Sequence, residues 1–498
     1  MAIKKQLPHF VLIPFMAQGH MIPMVDIARL LARRGVVVTI FTTPVNAKRF
    51  DSVLARAMDA GLPIRVIQLD FPAAEVGLPE GCECFDLLPS VDQFAQFFAA
   101  CKMLKPSVEE KLKELNPSPS CILADMCHPW ANQVAEKFGV PRLMFHGFCC
   151  FSLLCLHNLS TSKEMDDVTS DSEYFVVPDL PHRIELTRAQ VGGLARPLVP
   201  DWKDIQDEMR EAENGAFGVV INTFEELEPD YIPQYKKAKA KKVWCIGPVN
   251  LCNKDKLDIA ERGNKASINE HQCLKWLDSQ EVNSVIYACL GSITRLSTSQ
   301  LIELGLGLEE SNRPFIWVIR DPSAEFQKWL LEEKFEQRLH GRGFLIHGWA
   351  PQVLILSHPS VGGFLTHCGW NSTIEGICSG VPMITWPMFA DQFINEKLVV
   401  NVLKTGVKAG MEIPVFIGQE ETAGVQVTRN DTKMAIDKLM DEGEEGQVRR
   451  ARAQELGKVA QKALDAGGSS HQNITQLIQD LTEKVHLESQ PMSIIVDS

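Results

Sequence analysis

Short apolar runs alternate with longer stretches of mixed character along most of this chain. In the first half, residues 10–15, 36–43, 64–69, 122–125, 142–146, 219–223 and 243–246 are apolar at mostly consecutive positions. Such runs read as parallel strands covered on both faces, because a sheet with one wet face would alternate apolar and polar residues. Between them, residues 23–34, 45–60, 91–115 and 129–138 place apolar side chains at helical spacing. The second half restarts the pattern with strand candidates at 284–290, 315–319, 344–347, 361–366, 381–386 and 407–409. Alternating β and α predicts an α/β fold of doubly wound parallel sheets.

At 498 residues the chain exceeds what one compact core holds, and two domains follow. The alternation stops near residues 247–272, a polar stretch without a sustained period. The expected division is a first domain over 1–248, an interdomain linker over 249–272 and a second domain over 273–470. Residues 471–498 then hold a last helix, amphipathic over 474–485 and able to cross back to the first domain, and a tail.

Charge and cysteine usage narrow the class. A net charge of −13 argues against a nucleic-acid partner, which wants a basic face. It leaves room for a phosphorylated small ligand, since a helix N-terminus supplies local positive potential. Fourteen cysteines are scattered through apolar runs without paired C-x-x-C spacing, which reads as buried free thiols in a reducing compartment. The start MAIKKQLPHFVLIPF has too short an apolar run for a secretory signal, and no stretch reaches membrane-spanning length. The expectation is a cytoplasmic monomer without stable membrane insertion.

Candidate chemistry concentrates in residues 349–392, WAPQVLILSHPSVGGFLTHCGWNSTIEGICSGVPMITWPMFADQ. Strand ends alternate there with polar turns and helix starts, which is where open α/β sheets place ligands. His367-Cys-Gly369-Trp370-Asn371-Ser372 joins a strand end to a helix start. Asn371 or Ser372 is placed to cap that helix, whose free amides suit a diphosphate. His367 adds a neutral or cationic donor, and Glu375 reaches two ribose hydroxyls. Trp349 offers a flat face for a base. Asp391 and Gln392, at the next junction, suit a sugar's hydroxyls. Each feature alone is commonplace; their conjunction in one unit is not. In the first half, His20 follows the first strand and Asp125 ends another, so both face one cleft. An imidazole can take a proton from an acceptor hydroxyl while a buried carboxylate orients it.

These residues resemble, position for position, the signature box of the plant family-1 UDP-sugar glycosyltransferases. HFVLIPFMAQGHMIPMVDIARLLARRG and GLGLEESNRPFIWVIR resemble the group acting on flavonoids, steroids, triterpenoids and cytokinins. The resemblance covers nearly the whole chain. It implies a GT-B architecture, two Rossmann-like domains facing a cleft. It implies that Trp349 stacks on uracil, that the Ala350 backbone pairs with it, and that Gln352 and Glu375 hold the ribose. Ser292, His367, Gly369, Asn371 and Ser372 fall at the diphosphate, and Trp370, Asp391 and Gln392 at the sugar. Gln392 and Trp370 favour UDP-glucose as donor and co-substrate. His20 stands at the family's catalytic base and Asp125 at its partner, which implies direct displacement with inversion. No Asp-x-Asp occurs, so neither a metal nor another cofactor is expected.

The acceptor, a small lipophilic metabolite, is expected against the first domain. Candidate walls are Gly19, Phe94, Phe97, Phe98, Trp130, Phe148, Phe151, Leu154, Ala390 and the loop 190–200. His128 is either a substrate contact or a surface residue. Extension of an existing glycoside, or use of UDP-xylose or UDP-galactose, stays open beside glucosyl transfer. A non-catalytic nucleotide-sugar binder would lack His20 or Asp125, and an epimerase would need no lipophilic acceptor cleft.

Overall fold

The computed structural model describes residues 7–195 and 200–489. Two parallel sheets organise them. The first contains β1 (His9–Ile13), β2 (Val37–Thr42), β3 (Ile64–Gln68), β4 (Cys121–Asp125) and β5 (Arg142–His146). A small antiparallel hairpin, β6 (Tyr174–Val176) and β7 (Glu185–Thr187), interrupts it, and β8 (Gly218–Ile221) and β9 (Lys242–Cys245) complete it. The second contains β10 (Val285–Cys289), β11 (Phe315–Ile319), β12 (Gly343–His347), β13 (Val361–Thr366), β14 (Met383–Thr385) and β15 (Gly406–Lys408). The orders are β3-β2-β1-β4-β5-β8-β9 and β12-β11-β10-β13-β14-β15.

Both sheets are built outward from a central strand, first to one side and then to the other. β1 therefore pairs with both β2 and β4, and β10 with both β11 and β13. The crevice where the order reverses opens at the carboxyl ends of β1/β4 and β10/β13, the ligand position of doubly wound sheets.

Strand residues alternate between two buried layers, which explains the continuous apolar runs. Phe10 and Leu12 pack with Leu31, Trp244, Ile474, Leu477 and Leu481. Val11 and Ile13 point the other way, toward Phe97, Leu104 and Leu112. The last helix, Ser469–Ser489, thus covers one face of the first sheet although the second domain precedes it in the chain. Trp244 fixes it by donating from Nε1 to Asp480, at 3.0 Å. The expected helix at 91–115 is two helices, Phe94–Met103 and Lys105–Lys113, with Pro106 at the second one's start, where its missing N–H is harmless. The β6/β7 hairpin has strands too short to stand out from a loop.

Leu477 is fully buried on the first sheet, far from it in sequence. Leu477→Ala is expected to destabilise the first domain by about 2–5 kcal/mol, read as a lowered urea midpoint. A midpoint within error of the unsubstituted protein would mean that the helix does not cover that face in solution.

Candidate functional site

His20 lies in the first turn of the helix Gln18–Ala32, immediately after β1, and Asp125 is the last residue of β4. Because β1 and β4 are neighbours, the two side chains meet: His20 Nδ1 and Asp125 Oδ2 are 2.7 Å apart. Asp125 Oδ1 accepts from the Cys127 amide at 3.0 Å, so the carboxylate is fixed at both oxygens. Asp125 is fully buried and His20 is 22% exposed, with Phe15 edge-on to the imidazole at 5.4 Å. Burial works against charge on His20. The Asp125 charge, the hydrogen bond and the Asp391 charge outweigh it, and the pKa is raised above the usual 6.5. Burial likewise opposes charge on Asp125, but His20 and the Cys127 amide carry its pKa below the usual carboxylate value. The Nε2 edge of the ring remains for the cleft.

Pro23 sits inside the same helix. It has no N–H to give the Gly19 carbonyl one turn earlier. Asn371, from the second domain, donates its side-chain amide to that carbonyl instead. Asn371 is therefore not the cap of its helix Trp370–Cys378, and neither is Ser372. The N-cap is Gly369, without a side-chain cap, so the first-turn amides stay free at the cleft.

The second domain supplies most of the remaining lining. The cleft, about 240 Å³, is bounded by Ser292, Trp349, Ala350, Gln352, His367, Gly369, Trp370, Asn371, Ser372, Glu375, Asp391 and Gln392. Gln352 Nε2 donates to Ser372 Oγ at 3.1 Å and to Glu375 Oε2 at 2.8 Å. Gln392 Oε1 accepts from the Met388 and Phe389 amides, which leaves its amide nitrogen uncommitted by these bonds. Trp370 is buried and donates from Nε1 to the Asn222 carbonyl of the first domain at 2.8 Å. Gly291, at φ +85°, is demanded by His367: a Cβ there would come within 2.4 Å of the ring.

His367 is a neutral group, not a cationic one. Burial alone lowers its pKa to about 4. Burial moves Asp391 the opposite way, to about 7, against hydrogen bonding from Asn395 (2.7 Å) and the nearby His20.

Several contributors lie outside the residues that the sequence pattern singled out. Arg262, from the segment between the domains, is buried between Asp26 of the first domain (2.6 Å) and Glu375 of the second (2.5 Å). Gly263, at φ +86°, lies against Trp349, where a Cβ would stand 2.6 Å from the ring. Ser267 Oγ accepts from the Trp349 amide at 2.8 Å. The Arg320 guanidinium lies 5.2 Å from the centroid of Trp349. Arg320 follows directly on β11, so the strand-end logic that singled out Trp349 could have found it.

The expected acceptor walls divide. Gly19, Phe148 and Ala390 line the cleft. Phe151 does not: it is fully buried against Tyr231. Trp130 is buried beside His128 and does not reach the cleft; Phe97 and Leu154 are core as well. Phe94 packs on Phe85 at 4.5 Å, and Phe98 stacks on Phe15. Of the loop 190–200, residues 196–199 lie outside the described residues. His128 is neither a surface group nor a cleft contact: it is fully buried against the Pro14 carbonyl, and burial lowers its pKa to about 4.

Among the described residues, His20, Asp125 and Cys127 bring potential metal-ligand atoms within 4.8 Å of one another. His20 and Asp125 are spent on each other, and burial holds the Cys127 thiol well above its usual range, so no thiolate is on offer. Among the same residues no helix is long and apolar enough to cross a membrane.

Comparison with known proteins places this geometry among relatives. Residues 9–251 match the family model "Glycosyltransferase, N-terminal domain", and residues 253–413 match "UDP-glucoronosyl and UDP-glucosyl transferase". The chain is 55% identical to UDP-glycosyltransferase 73C11 of Barbarea vulgaris, over 95% of this chain and 96% of that one. It is equally 55% identical to UDP-glycosyltransferase 73C5 of Arabidopsis thaliana, over 95% and 97%. The crystal structure of Glycyrrhiza uralensis UGT73P12 complexed with glycyrrhetinic acid 3-O-monoglucuronide superposes with a TM-score of 0.90 at 34% identity, covering 97% of each chain. The structure of TcCGT1 in complex with UDP superposes at 0.78 and 26% identity, covering 97% of this chain and 100% of that one.

The raised pKa of Asp391 has a consequence for stability. A carboxyl that holds its proton more tightly when folded makes the folded state lose ground as pH rises from the unfolded value, 3.8, through about 7. Asp391→Asn is therefore expected to stabilise the protein by almost nothing near pH 4 and by roughly 4 kcal/mol above pH 8. Thermal melts across that range check this; a gain independent of pH would contradict it.

Proposed function

Since this chain belongs to the plant UDP-glycosyltransferases, enzymes of UDP-sugar transfer, we propose that it is an inverting O-glucosyltransferase. It moves glucose from UDP-glucose to a hydroxyl of a small lipophilic metabolite of triterpenoid, steroid or flavonoid type. The observation that carries the reading is the His20–Asp125 pair, 2.7 Å apart at the switch point of one sheet and facing the switch point of the other across a single cleft.

Each group has a part in the proposed reaction. His20 removes the acceptor proton through Nε2, while Asp125 holds the ring by Nδ1 and stabilises the imidazolium. The acceptor oxygen attacks the anomeric carbon from the side opposite UDP, so an α-linked donor gives a β-glucoside. The first-turn amides of Trp370–Cys378 stabilise the departing diphosphate, with His367 as a neutral donor. Trp349 takes the uracil, Gln352 and Glu375 the ribose, and Asp391 and Gln392 the sugar hydroxyls. The reaction draws on no metal or other cofactor in this reading. Gln392 and Trp370 support glucose by family resemblance. Gly19, Phe148 and Ala390 form the acceptor side nearest His20.

A second reading is extension of a sugar already on the acceptor. It is favoured by the 0.90 superposition on UGT73P12, whose structure holds a monoglucuronide of glycyrrhetinic acid.

Incubation with UDP-glucose and a panel of sapogenins, sterols and flavonols, free and monoglycosylated, is expected to release UDP and yield β-glucosides by mass spectrometry and proton NMR. His20→Ala should lower turnover by about 10³-fold or more. The acid limb of the rate profile should lie above pH 6.5, because the raised pKa keeps His20 protonated below it, and Asp125→Asn should move that limb down. Full turnover by His20→Ala, or an α-linked product, contradicts the mechanism.

A further inference from the structure

Glu375 is the residue that the proposed function sets against the ribose, and in this structure it does not stand alone. Its Oε1 accepts from Arg262 Nη1 at 2.5 Å, and its Oε2 accepts from Gln352 at 2.8 Å. Arg262 reaches in from the segment between the domains. With its other edge it donates to Asp26 Oδ2, at 2.6 Å from Nη2 and 3.2 Å from Nε. The Arg262, Glu375 and Asp26 side chains are 9%, 7% and 3% exposed. Asp26 is held in turn by Asn253 at 2.9 Å and lies on the helix that carries His20. One guanidinium thus spans the base-bearing helix of the first domain and the ribose-facing carboxylate of the second.

We propose that Arg262 is a positioning residue for recognition of the donor's ribose, acting through Glu375. An ionised carboxylate offers about four acceptor directions. Arg262 and Gln352 take one on each oxygen, which leaves one on each for a pair of vicinal hydroxyls. Arg262 fixes the plane of the carboxylate, so that the remaining direction on each oxygen stays aimed at the cleft. Gly263 supports the same assignment: the next residue of the segment lies against the Trp349 ring, so the linker walls the nucleoside end of the cleft. Gln18, at the start of the base-bearing helix, donates to Asn264 one residue further on, at 2.9 Å.

This inference rests on the reading of the cleft as a UDP-sugar site, and the test separates the two. Calorimetric titration compares UDP with 2′-deoxy-UDP on the full-length protein and on Arg262→Gln. The unsubstituted protein is expected to prefer UDP by about tenfold or more, because a site built to hydrogen-bond a hydroxyl rejects the analogue that lacks it. In Arg262→Gln the preference should fall to within about threefold. KM for the UDP-sugar should rise by about 10–100-fold, while kcat changes by less than about threefold. A purely structural role would lower the melting temperature and leave the ratio of the two affinities where it was. If Arg262→Gln does not fold, Arg262→Lys carries the test. It keeps the charge and loses the fork that spans two carboxylates, so a reduced ribose preference supports the proposal. A folded variant with the wild-type preference overturns it, as does an unsubstituted protein that binds both nucleotides equally. Failure of the unsubstituted protein to bind UDP at all overturns the reading of the cleft instead.

Discussion

The contact between the helix Gln18–Ala32 and the second half of the chain is the constraint on which the rest of this structure turns. The helix carries His20 in its first turn. Along its length it offers Gln18 to Asn264, the Gly19 carbonyl to Asn371, Asp26 to Arg262 and Arg29 to Asp258. A base on one domain and a donor site on the other make an active centre only if their separation is fixed. Apolar packing alone fixes it loosely, since apolar surfaces tolerate small slips. Directional bonds from buried groups do not, because each misplacement strands a desolvated charge or carbonyl. The Gly19 carbonyl shows the principle at smallest scale. Pro23 denies it a partner within the helix, and Asn371 supplies one from across the cleft, within two residues of the free amides at the start of its own helix.

How much of this could be read beforehand follows from where each residue sits. Both parallel sheets were legible because their central strands are apolar on two faces. The second domain's share of the cleft was legible because Trp349, His367 and Asp391 follow strands and Glu375 lies in the helix after one. His20 and Asp125 were legible for the same reason, although only the strand order shows that they touch. Arg262 was not. It belongs to a polar segment without a period, and a salt bridge to residues so far away in both directions leaves no local pattern. Part of the expected acceptor wall failed for a different reason. Phe151 and Trp130 have the composition of a cleft lining, but an apolar side chain on a helix looks the same whether it faces a ligand or a core. His128 failed similarly: three residues after Asp125, where β4 ends, the chain turns and buries it beside Phe15 and Trp130 rather than exposing it.

The titratable groups in the cleft are pushed apart. His20 is raised by a paired carboxylate despite its burial, while His367 is lowered by burial that nothing offsets. The two imidazoles therefore divide the work that one residue type can do. In the proposed reaction one holds the proton taken from the substrate, and the other stays neutral beside the leaving group. What separates them is the neighbour at Nδ1: Asp125 for His20 and, among the described residues, no hydrogen-bond partner for His367. Placing two histidines in one cleft without this asymmetry would give two groups titrating together and neither role cleanly filled.

The same bookkeeping of neighbours resolves an apparent conflict, that a chain of net charge −13 should take up a dianionic diphosphate. The carboxylates that line or back the cleft do not act as free negative charges. Asp125 is paired to His20, Glu375 is bonded to Arg262 and Gln352, and burial pushes Asp391 to about 7, where its proton is half retained. Arg320 over Trp349 and the free amides of Trp370–Cys378 then supply positive potential to the cleft. Where other acidic groups lie on the outer surface, solvent and salt screen them within about 10 Å. Local pairing, rather than overall charge, therefore decides what the cleft can hold, and each pairing is made by a residue whose backbone position the two sheets have already set.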